Sequence, residues 1–131
     1  MAKIIQMTDS DGNVYPKAPS LVDISDKFTY QLTYGDGWIK AYYDRTTGIV
    51  RGSFAVYNST TSVFNQSTPF YLIASGYRPS ANVTVPMMVE ARANNVNTWY
   101  SSYGVIYPSG AIAQNMTASG HQCYGTFEYY V

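Results

Sequence analysis

The amino-acid sequence predicts an all-β domain, and three observations support this. β-Branched and aromatic residues are abundant, with Tyr alone occurring 14 times in 131 residues, and these residue types favour a pleated, half-buried strand. Apolar and polar residues alternate with a period of two in several segments, and no long apolar helical stripe competes with that pattern. Turn residues separate the segments at roughly regular spacing. We therefore expect a single β-sandwich, jelly roll or squat β-barrel of about eight or nine short antiparallel strands.

The first strand signals lie close together in the first half of the chain. Residues 28–34 alternate between apolar and polar, and two further strand signals follow at 38–43 and 49–57, separated by short turns rich in Gly and Asp. Short turns of this kind join antiparallel neighbours, so the three segments are predicted to form a meander. Gly52, inside the third segment, predicts either a bulge or the close approach of a neighbouring group.

The second half of the chain carries further strand signals. Residues 70–74 are mostly apolar, which predicts a strand covered on both faces. Later strands are expected at 83–91, 99–107, 110–114 and 124–131. Pro, Ser and Gly at 108–110 are a strong turn signal, so the strands on either side are expected to form a hairpin.

The start of the chain differs from the remainder. Residues 1–23 contain a turn cluster of Asp, Ser, Gly and Asn, followed by Pro16 and Pro19. Prolines cannot donate to a sheet ladder and favour an extended link. We expect residues 1–23 to be a leader or attachment segment and residues 24–131 to be a β head domain.

Charge and composition exclude several classes of function. The formal net charge is zero, the pI is about 6.5, and only 12% of the residues are charged. A nucleic-acid or anionic-membrane surface requires a basic footprint, so neither partner is expected. No apolar stretch approaches membrane-spanning length, so no membrane insertion is expected.

The residues needed for catalysis or metal binding are scarce. His121 is the only histidine and Cys123 the only cysteine, and no flanking motif supports a nucleophile. Glu90 and Glu128 are the one pair of carboxylates predicted on strands, so they are the carriers of the hydrolytic alternative. One His and one Cys cannot complete a zinc site, and the turn at 9–13 lacks the ligands of a calcium loop. We expect no enzyme activity, no cofactor and no metal.

Binding is the remaining chemistry. Residues 92–103 concentrate amides, an Arg and three aromatic residues between two predicted strands. Aromatic rings stack on the C–H face of a sugar, while amides and guanidinium groups bond its hydroxyls. The alternative is that Trp99 and one Tyr belong to the core and that the Asn residues form a plain loop. The candidate saccharide-binding residues are Arg92, Asn94, Asn95, Trp99, Tyr100, Tyr103 and His121.

The C-terminal motifs resemble a known family. The Tyr-Arg-Pro loop at 77–79 precedes an apolar strand, and a Pro-Ser-Gly-x-Ile hairpin at 108–112 precedes a final aromatic strand. This order is similar to the head domains of phage tail and baseplate receptor-binding proteins of Gram-positive siphophages. Residues 6–16 also resemble the start of many phage tail-associated proteins.

The resemblance implies a β-barrel or jelly-roll head that forms a homotrimer and recognises host cell-wall saccharide or teichoic acid without catalysis. It also implies a location on the virion tail after synthesis in the host cytoplasm, with residues 1–23 contacting other tail or baseplate proteins. Two alternatives remain: a structural tail-fibre component without its own receptor site, and a carbohydrate-binding module of a cellular protein.

Overall fold

The computed structural model describes residues 7–8, 10–12, 14–15, 20–32, 35–57, 69–93, 96–114 and 122–131. Within these residues the secondary structure is almost entirely strand, with one short 3-10 helix, Ser25–Lys27, and no α-helix. The strands are β1 (Met7–Thr8), β2 (Val14–Tyr15), β3 (Leu21–Asp23), β4 (Phe28–Tyr30), β5 (Asp36–Asp44), β6 (Ile49–Tyr57), β7 (Tyr71–Ile73), β8 (Val83–Ala93), β9 (Val96–Ile106), β10 (Ala111–Gln114) and β11 (Gln122–Tyr130).

Nine of these strands form one antiparallel sheet. Its strand order is β3-β5-β6-β11-β8-β9-β10-β7-β4, and β1 and β2 pair separately as a small hairpin. The sheet curls into a half-barrel. The predicted all-β class, with about this number of strands, is therefore confirmed.

A short connection between β3 and β4 forces the sheet to curl. The two strands lie at opposite edges of the sheet, yet only residues 24–27 separate them along the chain. Ile24 N–H donates to the carbonyl of Ala41 at 2.9 Å, and Ala41 N–H donates to the Ser25 hydroxyl at 3.0 Å. The connection is thereby bonded to β5, so the two edges of the sheet are held near each other.

The concave face of the curled sheet holds the core. β11 shows the pattern most clearly, because its residues alternate strictly between buried and exposed from Cys123 to Tyr130. Inward residues of the neighbouring strands complete a continuous apolar cluster. Its most deeply buried large side chains are Phe54, Phe70, Ile24, Ile73, Ile106, Ile112, Val50, Val56, Val85 and Val89.

Two glycines on inward positions leave room for aromatic rings. A Cβ on Gly125 would lie 2.5 Å from Cζ of Phe54, and a Cβ on Gly52 would overlap the ring of Phe127. The ladders run through Gly52 without interruption, pairing it with Ala41 and Phe127. Of the two alternatives predicted for Gly52, the structure therefore shows the close approach and no bulge.

The predicted meander is partly wrong. β5 and β6 pair across the turn as predicted, with Asp44 opposite Ile49. β4 does not pair with β5, however, but with β7, placing Phe28 opposite Ile73. Both sides of β5 are already paired, with β3 and with β6, so no side of β5 is open to β4.

The second-half strands were predicted more accurately. β9 and β10 form the expected hairpin around the turn at 108–110, with Ile106 opposite Ile112. β7 is not covered on both faces as predicted, because Leu72 is exposed between the buried Tyr71 and Ile73. The curled sheet leaves the convex side of this strand open.

The boundary proposed at residue 23 stays a prediction. Leu21–Asp23 pairs with Asp44, Tyr43 and Tyr42 of β5, so the main sheet includes this short strand. In the part of the chain that the structure describes, no helix has the length and apolar character to cross a membrane.

We expect Gly125→Ala to destabilise the domain by about 1–3 kcal/mol, since the new methyl group overpacks against the fully buried Phe54 ring. Urea unfolding would measure the loss. Thr126→Val, which keeps a β-branched side chain at an exposed neighbour on the same strand, is the control and should change stability by no more than about 0.5 kcal/mol. In a double-mutant cycle, Phe54→Leu should offset part of the Gly125→Ala cost; strict additivity would contradict the assigned contact.

Cys123 should be unreactive in the native state. Its side chain is 0% exposed, and burial raises the pKa of its thiol to about 12. Because only the thiolate attacks, a thiol-specific disulfide reagent at pH 8 should modify the protein only after denaturation. The raised pKa also means that the contribution of this group to stability is full below pH 9.0 and is lost as the pH rises toward 12. Rapid labelling of folded protein would place Cys123 outside the core.

Candidate functional site

The convex face of β5, β6, β11, β8 and β9 presents side chains in cross-strand rows. Strand register places Trp38, Ala55, Tyr124, Met88 and Ser101 in one such row. The adjacent row contains Asp36, Tyr57, Gln122, Glu90 and Trp99. Directly opposed side chains and their diagonal neighbours contact one another on such a face, so both rows form one surface.

Four aromatic residues, two from each of these register rows, form a continuous line. This line is here called the aromatic row: Trp38, Tyr57, Tyr124 and Trp99. The indole N–H of Trp38 donates to the Tyr57 hydroxyl at 3.2 Å. The rings of Tyr57 and Tyr124 meet edge to face, with centroids 6.0 Å apart. Trp99 and Tyr124 lie at 5.6 Å with an angle of 30° between their planes. The aromatic row therefore crosses the face from β5 to β9.

The aromatic row is open to solvent even though it is largely apolar. Trp38 and Trp99 are each 44% exposed and Met88 is 43% exposed. Ala55, by contrast, is fully buried between Trp38 and Tyr124. The rings thus cover the sheet backbone while leaving their outer surfaces free. A contiguous exposed patch of this type is a candidate interaction surface.

A shallow depression of about 400 Å³ lies beside the aromatic row. Trp38, Tyr124 and Met88 form its walls, and the backbone around Gly125 contributes to its floor. The hydroxyls of Ser53, Ser101 and Thr126 are among the polar groups around it. This aromatic depression offers ring and methyl surfaces with a few hydroxyls at their margins.

A second depression of about 430 Å³ adjoins the first, because Pro86 and Thr126 line both. Its other outward side chains are Arg51, Thr84 and Glu128. Arg51 Nε donates to Glu128 Oε2 at 2.9 Å, and both side chains are more than half exposed. This polar depression therefore continues the first one along β11.

The polar depression lies where the pairing between β8 and β11 ends. The two strands pair only from Gln122 opposite Glu90 to Gly125 opposite Met87, whereas β11 stays paired with β6 as far as Tyr130. Pro86 is the next residue of β8, and proline has no N–H to donate to a ladder. β8 leaves β11 at this point, and the polar depression lies beyond the divergence.

The structure separates the predicted site residues on β9. Trp99 and Tyr103 lie on the convex face, 44% and 45% exposed. Tyr100 lies on the opposite, concave face, in register with Val89, and packs against the core. Its hydroxyl is buried without a hydrogen-bond partner in the described part of the chain, and burial raises its pKa. Tyr100 is therefore not on the same surface as Trp99.

The other predicted site residues are described only in part or not at all. Arg92 lies in β8 opposite Asn97, in the same strand pair as Trp99, and only its backbone is described. Asn94 and Asn95, between Ala93 and Val96 in the sequence, lie outside the described residues. His121 also lies outside them. Their role in binding stays a prediction.

Sequence reasoning missed three members of the aromatic row: Trp38, Tyr57 and Tyr124. Each occupies an outward position of a strand that the sequence predicted, so alternation alone would have placed each on a solvent-facing side. The register that brings them together joins β5, β6 and β11, and β11 is far from the other two in sequence. No local signal specifies that pairing.

Tyr124 is central to the surface, since it contacts both Tyr57 and Trp99. Its hydrogen bond with Tyr57 raises the pKa of its hydroxyl above the ordinary value, and partial burial and the nearby Glu90 act in the same direction. The hydroxyl of Tyr124 also donates to Oε1 of Gln122 at 3.5 Å.

Glu90 is an unusual residue for a sheet face. It is only 4% exposed, and within the described residues its Oε1 atom has no hydrogen-bond partner. Its register neighbours are Gln122 on β11 and Trp99 on β9. A buried acceptor without a donor is costly, and such groups are rare in native proteins. Glu90 thus adds a polar group beneath the aromatic row.

The pair of carboxylates considered for hydrolysis does not form a catalytic pair. Glu90 lies opposite Gln122, whereas Glu128 lies six residues further along β11, or roughly 20 Å by strand rise. Glycoside hydrolysis by two carboxylates requires roughly 5–10 Å. Glu128 is also bonded to Arg51. Cys123 faces the core with a raised pKa, so the structure gives it no activated thiolate.

No group of three or more His, Cys, Asp or Glu side chains suited to a metal ion occurs within the described ranges. Comparison of the chain with protein-family models, with curated proteins and with solved structures gave no match. The arrangement on the convex face is therefore the observation from which function can be inferred.

Proposed function

We propose that this chain is a phage tail or baseplate receptor-binding head that recognises a host cell-wall saccharide without catalysing a reaction on it. The observation that carries the binding part of the proposal is the exposed aromatic row. The phage part is supported by the resemblance of the motifs at 77–79 and 108–112. A place on the virion tail and attachment through residues 1–23 belong to the same proposal.

The aromatic row suits a sugar for physical reasons. Aromatic faces bury the apolar C–H surface of a pyranose ring, and nearby hydroxyls and carboxylates bond its hydroxyl groups. Trp99 and Tyr124 offer ring faces, and the hydroxyls of Ser101 and Thr126 line the depression beside them. The rings are held by cross-strand contacts, so binding requires little ordering of side chains.

A second candidate, a structural tail component, is supported by the same exposure. Apolar surface such as that of Trp38 and Met88 is also what a contact between protein copies would cover. A carbohydrate-binding module of a cellular protein would use the row as the receptor-binding head does. A structural component should not bind cell walls and should use the aromatic row in a contact between copies. Both binding candidates should bind saccharide through that row.

We expect Trp99→Ala to weaken adsorption to host cell walls by about tenfold, or ~1.4 kcal/mol, since a stacking face is lost. The melting temperature should change little, because Trp99 is 44% exposed and outside the core cluster. A fluorescent form of the full chain would be titrated onto walls from a panel of Gram-positive bacteria, and the best-binding strain used for the comparison.

Tyr130→Ala is the matched control for this experiment. Tyr130 lies on the same face at the end of β11, is 70% exposed and lines neither depression. Its removal should leave adsorption unchanged. If wild-type protein adsorbs to none of the walls, or if both variants adsorb as the wild type does, the aromatic row is not a receptor site.

Light scattering tests the expected homotrimer. The measured mass should be three times the 14.6 kDa of the chain, because a closed trimer multiplies weak sugar contacts into useful avidity. Trp38→Ala should leave that mass unchanged if the aromatic row is a ligand site. A trimer that dissociates in this variant would instead assign the row to a protein interface, and a wild-type monomer would contradict the trimeric head.

A further inference from the structure

The two depressions form one groove along β11, here called the β11 groove. Tyr124 lies at its aromatic end, Thr126 at the shared middle and Glu128 at its polar end. These residues all point outward from one strand, so the groove extends roughly 13 Å from Tyr124 to Glu128 by strand rise. A single stacking site would need only the aromatic end.

The two ends of the β11 groove differ in chemistry. The aromatic end has ring, thioether and proline surfaces, whereas the polar end has the Thr84 hydroxyl and the paired Arg51 and Glu128. The apolar end suits the C–H face of a sugar ring, and the polar end suits ring hydroxyls. A ligand that meets both ends must be long and must carry apolar faces and hydroxyls along its length.

The charges of the β11 groove indicate that its ligand is neutral. Of the described residues lining the two depressions, Arg51 is the only cation, and Glu128 occupies it at 2.9 Å. Their charges cancel, yet both side chains remain more than half exposed. Arg51 has further N–H donors beyond Nε, and Glu128 has free acceptor capacity. A polyphosphate ligand would need unpaired cations, and this ion pair supplies none.

We propose that the β11 groove binds an extended, uncharged oligosaccharide, one unit stacking at the aromatic end and another bonding to Arg51, Glu128 and Thr126. This inference rests on the proposed saccharide-binding function and specifies its ligand. It selects neutral wall polysaccharide over the phosphate-rich teichoic acid that the sequence resemblance also allowed. The long axis of the ligand lies along β11.

The test uses neutral polysaccharide released from the best-binding cell walls and separated into monosaccharide, short and long fractions. Wild-type full chain should bind the long fraction most tightly. Arg51→Met keeps the length of the side chain but removes its donors, so it should weaken binding of the long fraction by about tenfold. It should leave binding of the short fraction unchanged, because a short ligand occupies only the aromatic end.

Lys40→Met is the matched control. Lys40 is an exposed cation on the same face, it pairs with Asp23 at 3.7 Å, and it lines neither depression. Its loss makes the same change in net charge and should not alter binding of either fraction. Thr126→Val provides a second test in the middle of the groove, since it removes a hydroxyl while keeping a β-branched side chain.

Each outcome decides between the two proposals. If Trp99→Ala weakens binding of both fractions while Arg51→Met and Thr126→Val weaken neither, the extended-ligand inference is overturned and the proposed function stands. If wild-type protein binds no neutral fraction but still adsorbs to walls, the uncharged ligand is excluded. If it neither binds a fraction nor adsorbs, both proposals fail.

Salt dependence separates neutral from anionic ligands independently of the variants. Binding of a neutral oligosaccharide should change by less than about twofold between low salt and 1 M salt, since no ligand charge is screened. A fall of tenfold or more with purified teichoic acid, together with tighter binding of teichoic acid than of the neutral fractions, would overturn the inference.

Discussion

The strict two-residue alternation of β11 is the constraint on which both faces of the structure depend. This strand pairs with β6 along its whole length and with β8 along its first half, so it joins the two parts of the curled sheet. Its inward positions fill the core and its outward positions carry Tyr124, Thr126 and Glu128. A slip of one residue would exchange these faces, exposing Phe127 and burying Glu128. Register in β11 is therefore strongly specified.

Packing on the concave side supports the geometry of the convex side. Gly125 allows the Phe54 ring to lie against the inner surface of β11, which keeps β6 and β11 in close contact. The same two strands hold Tyr57 and Tyr124 edge to face on the outer surface. Core and candidate site thus share one backbone, so a shift in the core moves the rings on the outside. The aromatic row is ordered by the sheet and does not depend on a loop.

The hairpins and the fold class could be predicted from local sequence, but the pairing of distant strands could not. The turns after Asp44 and at 108–110 join strands that are neighbours in the sheet. The Gly-Asp-Gly signal after β4 lies between strands that are not neighbours in the sheet, because β4 forms the opposite edge beside β7. A turn signal indicates a change of direction, and long-range packing decides which strand lies alongside.

The residues of the candidate site could likewise be predicted only in part from the sequence. Trp99 and Tyr103 were predicted because they occur in one segment with amides and an Arg, and both lie on the convex face. Tyr100 was assigned with them, although its position between them in β9 turns it toward the core. All three residues fall within the strand predicted at 99–107, and adjacent residues of a strand point to opposite faces, so the alternation already separates Tyr100 from Trp99.

By itself, the sequence determined that this chain forms strands, where several of them turn, and that charge and reactive groups are few. These properties depend on residue type and on spacing over a few positions. Only the tertiary structure decided that Trp38, Tyr57, Tyr124 and Trp99 meet, that Glu90 is buried beneath them, and that β8 leaves β11 at Pro86 to open a groove. The physical reason is that β11 joins β6 and β8, strands distant from it in sequence, and only closure of the sheet around its core sets the register of those pairings.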